Sequence, residues 1–187
     1  MKRKALLVVS LLAAFFCLTS CTTLRVRMGE SAYFHLLPLT AMDEPIDSYQ
    51  LITGTFPGYE TVAMEAWFTS DENALNLVMF APTGQTMGKV IYDGERISFE
   101  SSFLPEYRII GMFIVADLQL CFASTDAIGA EFANSDLVLV ESFAEGKLVR
   151  RVILEDDEII YNIEYEEGGI HVVNRLRDYS YQIEFLQ

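Results

Sequence analysis

From residue 49 to residue 185 most of the chain is written in short stretches that alternate apolar and polar side chains and stop at turn-forming residues. Alternation of period two places one set of side chains on each face of a β-strand, so each stretch reads as a strand with one face buried. Residues 49–56 and 59–68 flank Pro57-Gly58, whose proline presets φ and whose glycine tolerates a positive one. Residues 75–80 and 86–92 flank the breaker Ala81-Pro82-Thr83-Gly84, and Asp93-Gly94 turns the chain into 96–100. The C-terminal part repeats the pattern over 137–143, 148–154, 159–165, 170–176 and 179–185. Tight turns cannot join parallel neighbours, so the strands must form an antiparallel meander. A sheet of about ten strands is long enough to curl, which predicts a curved sheet approaching a barrel, with the helices closing one mouth.

The middle of the chain breaks this rhythm. Residues 107–122 are too long for one strand and too continuously apolar for a surface element, which predicts a buried or cavity-facing helix. Ser124 is placed to cap a second, shorter helix over 125–133, with Gly129 as its weak point. The expected fold class is α+β.

The N-terminus sets the compartment. Lys2, Arg3 and Lys4 precede an apolar stretch over 5–18, which ends in Thr19, Ser20 and Cys21. That order is the order of an export signal. A membrane-spanning helix needs about 20 apolar residues, more than this run supplies. Leu18-Thr19-Ser20-Cys21 resembles the lipobox of bacterial lipoproteins. The resemblance implies cleavage before Cys21 and acylation of its thiol, which would attach the protein to a membrane through acyl chains. Thr22 is not the aspartate that retains enterobacterial lipoproteins at the inner membrane, so the expected location is the periplasmic side of the outer membrane. The expected organisation is a signal peptide over 1–20, a lipidated tether over 21–32 and one domain over 33–187.

Charge and cysteine content exclude several classes of function. The signal holds three of the thirteen basic residues, leaving ten against twenty-seven acidic ones. Such a chain repels nucleic acid, and no basic stripe interleaved with aromatics offsets this. Cys17 leaves with the signal and Cys21 is assigned to the anchor, so Cys121 has no partner within the chain and reads as a small buried hydrophobe.

Residues that would support catalysis are sparse. His35 and His171 fit no metal-ligand spacing, and no G-x-S-x-G elbow is present. Gly84-Gln85-Thr86-Met87-Gly88-Lys89 has three residues between its glycines and Val90 after its lysine, so it is not a phosphate loop. Glu155, Asp156, Asp157 and Glu158 read as a solvated acidic turn rather than a calcium site. No catalytic residue, metal or cofactor is expected.

Two motifs carry a resemblance. Leu77-Val78-Met79-Phe80-Ala81-Pro82-Thr83-Gly84 is similar to the apolar run and x-Pro-x-Gly turn of LolB, the outer-membrane receptor for lipoproteins. Ala116-Asp117-Leu118-Gln119-Leu120 resembles a signature of small outer-membrane lipoproteins of uncharacterised function encoded with aryl polyene biosynthesis genes, and that likeness spans roughly 53–185. These resemblances imply a LolA/LolB-like fold: an incomplete β-barrel of about 10–11 strands with two helices closing a concave apolar face that accepts acyl chains. On that basis Trp67, Phe80, Phe113, Leu118 and Leu120 are candidate cavity residues. Asp117 and Gln119 are candidates for a polar mouth, or else for bracing the helix through hydrogen bonds. LolB carries a protruding leucine between the turn's proline and glycine, where this chain has Thr83; a threonine buries far less apolar surface, which argues against an insertion role.

The reading these features favour is a non-enzymatic lipoprotein that binds or places an acylated or polyene-lipid molecule, with a periplasmic protein partner as a further expectation. The alternative is a lipid-anchored structural subunit of an export or biosynthetic assembly.

Overall fold

The computed structural model describes residues 24–58, 61–102 and 108–186. A small hairpin of β1 (Arg25–Arg27) and β2 (Tyr33–His35) comes first, followed by a 3-10 turn over Leu39–Ala41. Then come β3 (Ile46–Thr55), β4 (Val62–Ser70), β5 (Leu75–Phe80), β6 (Thr86–Tyr92) and β7 (Ile97–Ser101). Helices α1 (Arg108–Phe122) and α2 (Thr125–Phe132) interrupt the strands, which resume as β8 (Leu137–Ala144), β9 (Lys147–Glu155), β10 (Glu158–Glu166), β11 (Gly169–Asn174) and β12 (Tyr179–Leu186).

Strands β3 to β12 form one antiparallel sheet of ten strands in the order β7-β6-β5-β4-β3-β12-β11-β10-β9-β8. Two meanders meet where β3 pairs with β12, with Gly54 opposite Tyr181 and Ile52 opposite Ile183. β7 and β8 do not pair with each other, so the sheet is curved and open, as expected, and not a closed barrel. The turns follow their local chemistry. Glu145 with Gly146, and Asp156 with Asp157, all have positive φ, the backbone that a two-residue hairpin demands. Asp93 accepts hydrogen bonds from the Glu95 and Arg96 amides, tying the turn before β7.

Helix α1 is largely apolar and, beyond its exposed first turn, is covered on two sides. One side meets the concave face of the sheet, where a Cβ on Gly111 would lie 2.9 Å from Ile97 and 3.0 Å from Phe99. The other side meets the N-terminal segment, and Gln119 clamps the backbone of Leu37 there, accepting from its N–H at 2.8 Å and donating to its carbonyl at 2.8 Å. Helix α2 starts as read, with the Ser124 hydroxyl accepting from the Ala127 amide.

The carbonyls at the end of α1 have no partners within the helix and must find them elsewhere. Arg151, buried on β9, donates to the carbonyls of Leu120 and Ala123 and pairs with Glu141 of β8 at 2.6 Å. Tyr165 donates to the carbonyl of Cys121 at 2.9 Å. One arginine and one tyrosine thus fasten the helix to the sheet.

Residues 24–32, expected to belong to a tether, are folded onto the domain. Leu24, Val26 and Met28 are buried, and the loop after β1 is fastened to the end of β9. There the Glu155 carboxylate accepts from the amides of Glu30, Ser31 and Ala32. Burial alone would raise this carboxyl, but those amides and the Ser31 hydroxyl outweigh it and hold Glu155 below the usual carboxylate range. Glu155 therefore departs from the reading of a solvated acidic turn: it is buried and fastens the hairpin.

Candidate ligand-binding site

Strand alternation decides which side chains face the bowl. Ile52 on β3, Met64 on β4, Leu77 and Met79 on β5, and Tyr181 and Ile183 on β12 all point to the concave side. Ile110, Phe113, Ile114, Asp117 and Leu118 of α1 face them across a cavity of about 350 Å³. Phe56, Pro57, Val62 and Tyr179 complete the lining. Twelve of these fifteen side chains are apolar, and the other three, Asp117, Tyr179 and Tyr181, sit together. The volume lies within the range of small-molecule pockets, about 300–1,000 Å³.

The polar group in this wall is one connected cluster. Tyr161 donates to Asp117 Oδ1 at 2.7 Å, while Tyr179 and Tyr181 donate to Oδ2 at 2.6 and 3.3 Å. The hydroxyls of Tyr161 and Tyr179 are 2.9 Å apart. Burial is the main influence on Asp117 and raises its pKa, against the opposing effects of the tyrosine hydrogen bonds and of Arg177. Burial and the neighbouring carboxylate likewise push the Tyr161, Tyr179 and Tyr181 phenols up. Arg177 lies over the ring of Phe113 at 4.1 Å and donates to the Arg27 carbonyl, which ties the cavity wall to the N-terminal hairpin. Burial pushes the Cys121 thiol up to about 12, as suits a small hydrophobe rather than a reactive group.

The structure brings together some of the candidate residues and separates others. Phe113, Leu118 and Asp117 line the cavity. Trp67 does not: Phe68 takes the inward position on β4, so Trp67 faces out, 48% exposed, with its indole donating to Asp47 at 2.7 Å. Phe80 is likewise turned outward by the inward Met79 and rests against Tyr49. Leu120 is buried in the packed core rather than in the cavity wall. Gln119 braces Leu37 and is not at a mouth. Pro82, Thr83 and Gly84 form an exposed turn closed by a hydrogen bond from the Gly84 amide to the Ala81 carbonyl. Cys21 lies outside the described residues.

The lining tyrosines were missed, although the signal was present. Tyr179, Tyr181 and Ile183 recur at every second residue and so share one face of β12.

The model of a family described as a protein of unknown function, DUF3261, matches residues 47–187. The chain belongs to that family. The match covers the ten-stranded sheet and both helices, and leaves β1, β2 and the residues before them outside. Among curated proteins no match is found. Among solved structures the chain is similar to a LolA superfamily protein from Nitrosomonas europaea, with 8% identity over 77% of this chain and 84% of that one and a TM-score of 0.45.

Proposed function

We propose that this DUF3261 protein is an outer-membrane lipoprotein, acylated at Cys21, that holds an apolar ligand in the periplasm and helps to place it without catalysing a reaction. The observation that supports this reading most is the cavity. A pocket of about 350 Å³ whose lining is apolar but for Asp117, Tyr179 and Tyr181 suits an acyl or polyene chain. Each methylene buried there contributes about 0.8 kcal/mol, so a chain of modest length suffices for useful affinity. The lipobox resemblance supports the anchor, and Thr22 after the cysteine supports the outer membrane. The ligand class extends to a polyene lipid or to the acyl chains of another lipoprotein.

Native mass spectrometry of the full-length protein extracted with its anchor tests both halves. A mature N-terminus at Cys21 carrying acyl groups, together with a co-purifying hydrophobic molecule, is the expected result. A protein that is consistently empty sinks the ligand half; an unmodified Cys21 sinks the anchor half.

The reading as a structural subunit has one observation in its favour. Edge strand β8 leaves Val138, Val140 and Phe143 exposed, and an unpaired edge is a template for strand addition. Crosslinking in cells followed by purification separates the two readings, because this one requires a stoichiometric protein partner and no bound lipid.

A further inference from the structure

The cavity's polar wall can be read by counting protons. A phenol carries one hydroxyl proton, and an ionised carboxylate carries none. Asp117, Tyr161, Tyr179 and Tyr181 make four O···O contacts, at 2.7, 2.6, 3.3 and 2.9 Å, with three hydroxyl protons among them. When Asp117 is ionised every proton is committed and one contact has none. When Asp117 is protonated there are four protons for four contacts. In neither state does the cluster hold a spare donor.

Acceptor capacity is a different matter. A carboxylate oxygen offers two lone-pair sites, and Asp117 Oδ1 takes only Tyr161 while Oδ2 takes both Tyr179 and Tyr181. The oxygens of Tyr179 and Tyr181, which also line the cavity, retain lone pairs as well. Asp117 keeps part of its surface accessible and is a lining residue. Arg177 Nη1, a buried donor without a partner, belongs to a residue that does not line the cavity, and Asn174, whose amide acts on the Tyr179 hydroxyl, does not line it either.

We infer that the cavity selects an apolar chain or ring bearing a hydrogen-bond donor, such as a hydroxyl, that reaches Asp117, and that it discriminates against ligands whose only polar group is an acid anion or a bare acceptor. The inference rests on the cavity being a ligand site. A donor completes the free acceptor site of Asp117, and a hydrogen bond in an apolar wall is stronger than the same bond in water. A carboxylate in the same place would meet the acceptor oxygens of Asp117, with no cation and no spare donor among the described lining residues to receive it.

Three ligands of equal chain length make the test: decanol, its methyl ether and decanoate, titrated at neutral pH against the full-length protein with bound ligand read by native mass spectrometry. Decanol is expected to bind about tenfold or more tightly than either of the other two. Asp117→Asn, which supplies an amide donor in nearly the same shape, should narrow or reverse the preference for alcohol over decanoate. Tyr181→Phe removes the longest of the phenol contacts and should keep the preference. Equal binding of alcohol and ether by the wild-type protein overturns the inference, as does tighter binding of decanoate. Failure of all three to bind overturns the cavity reading itself, and the inference with it.

Discussion

The two halves of the bowl are lined by the same kind of strand and filled in opposite ways. Under β8, β9 and β10 the concave face is occupied: Arg151 and Glu141 bond to each other and to the helices, and the β1–β2 hairpin is fastened by Glu155. Under β3, β4, β5 and β12 the strands offer Ile52, Met64, Leu77 and Ile183 to a cavity. Helix α1 belongs to both halves, ending on Arg151 and facing the cavity with Phe113 and Leu118. The difference teaches a division of labour: charged and capping contacts hold the helix at one side, so that apolar side chains at the other need not close on one another.

That division predicts where mutations cost stability. Arg151→Ala removes the partner of three carbonyl and carboxylate groups and leaves Glu141 buried without its cation. The loss should be about 3–5 kcal/mol, read as a lower midpoint in urea unfolding. A loss below about 1 kcal/mol would mean that the pair is solvated and that α1 is held by something else.

Gly29→Ala comes next. A Cβ at this position would meet the Glu155 carboxyl group at 2.1 to 2.3 Å, so the carboxylate must leave the amides that it caps. Stranding those amides, of which that of Ala32 is buried, should cost about 1–3 kcal/mol. The discriminating measurement is a double-mutant cycle: in a Glu155→Ala background the same change should cost little, because the colliding group is gone. Full additivity of the two changes would refute the account.

On the open half the expected effect shifts from stability to binding. Ile114→Trp directs an indole from α1 into the cavity. It should change stability by about 1 kcal/mol or less, since the site has room, while lowering ligand affinity by about tenfold or more. Loss of stability without loss of binding would mean that the cavity wall is packed and the ligand lies elsewhere.

These contrasts also explain what was legible in the sequence. The hairpins could be read because Asp-Gly and Pro-Gly announce themselves within two residues, and the helix because its apolar run exceeds a strand's length. Trp67 is excluded from the cavity by strand phase, which the resemblance does not carry: Phe68 and Ala66 point inward, so their neighbour must point out. The hairpin at Arg25–Arg27 has strands of three residues, too short for alternation to stand out from a polar tether, although Leu24, Val26 and Met28 do alternate with the two arginines. Arg150 and Arg151 are adjacent on a strand, so one of them faces the bowl. Nothing nearby in sequence shows that Glu141 and two helix carbonyls wait there, because such a site exists only once distant strands are in register. The Asp117 cluster is hidden for the same reason: its three tyrosines come from two strands more than forty residues downstream.

The finest test compares the two carboxylates, one from each half, by the sign of their pH dependence. Glu155 is held below its ordinary range, so between its folded pKa and about 4.3 the unfolded chain binds the extra proton. Its contribution is complete above about pH 4.3 and is lost as pH falls through the folded value. Asp117 has the opposite shift, raised chiefly by burial, so the folded protein keeps the proton longer than the unfolded chain. Its contribution is complete below about pH 3.9 and is lost as pH rises through the raised folded value. Urea unfolding across this range with Glu155→Gln and Asp117→Asn should give destabilisations that run in opposite directions. The cost of Glu155→Gln should shrink toward acid, and the cost of Asp117→Asn should shrink toward neutral pH. Slopes of the same sign would show that the amide-capped loop and the tyrosine-lined wall hold their carboxyl groups by the same physics, and the contrast between the filled and open halves would lose its electrostatic basis.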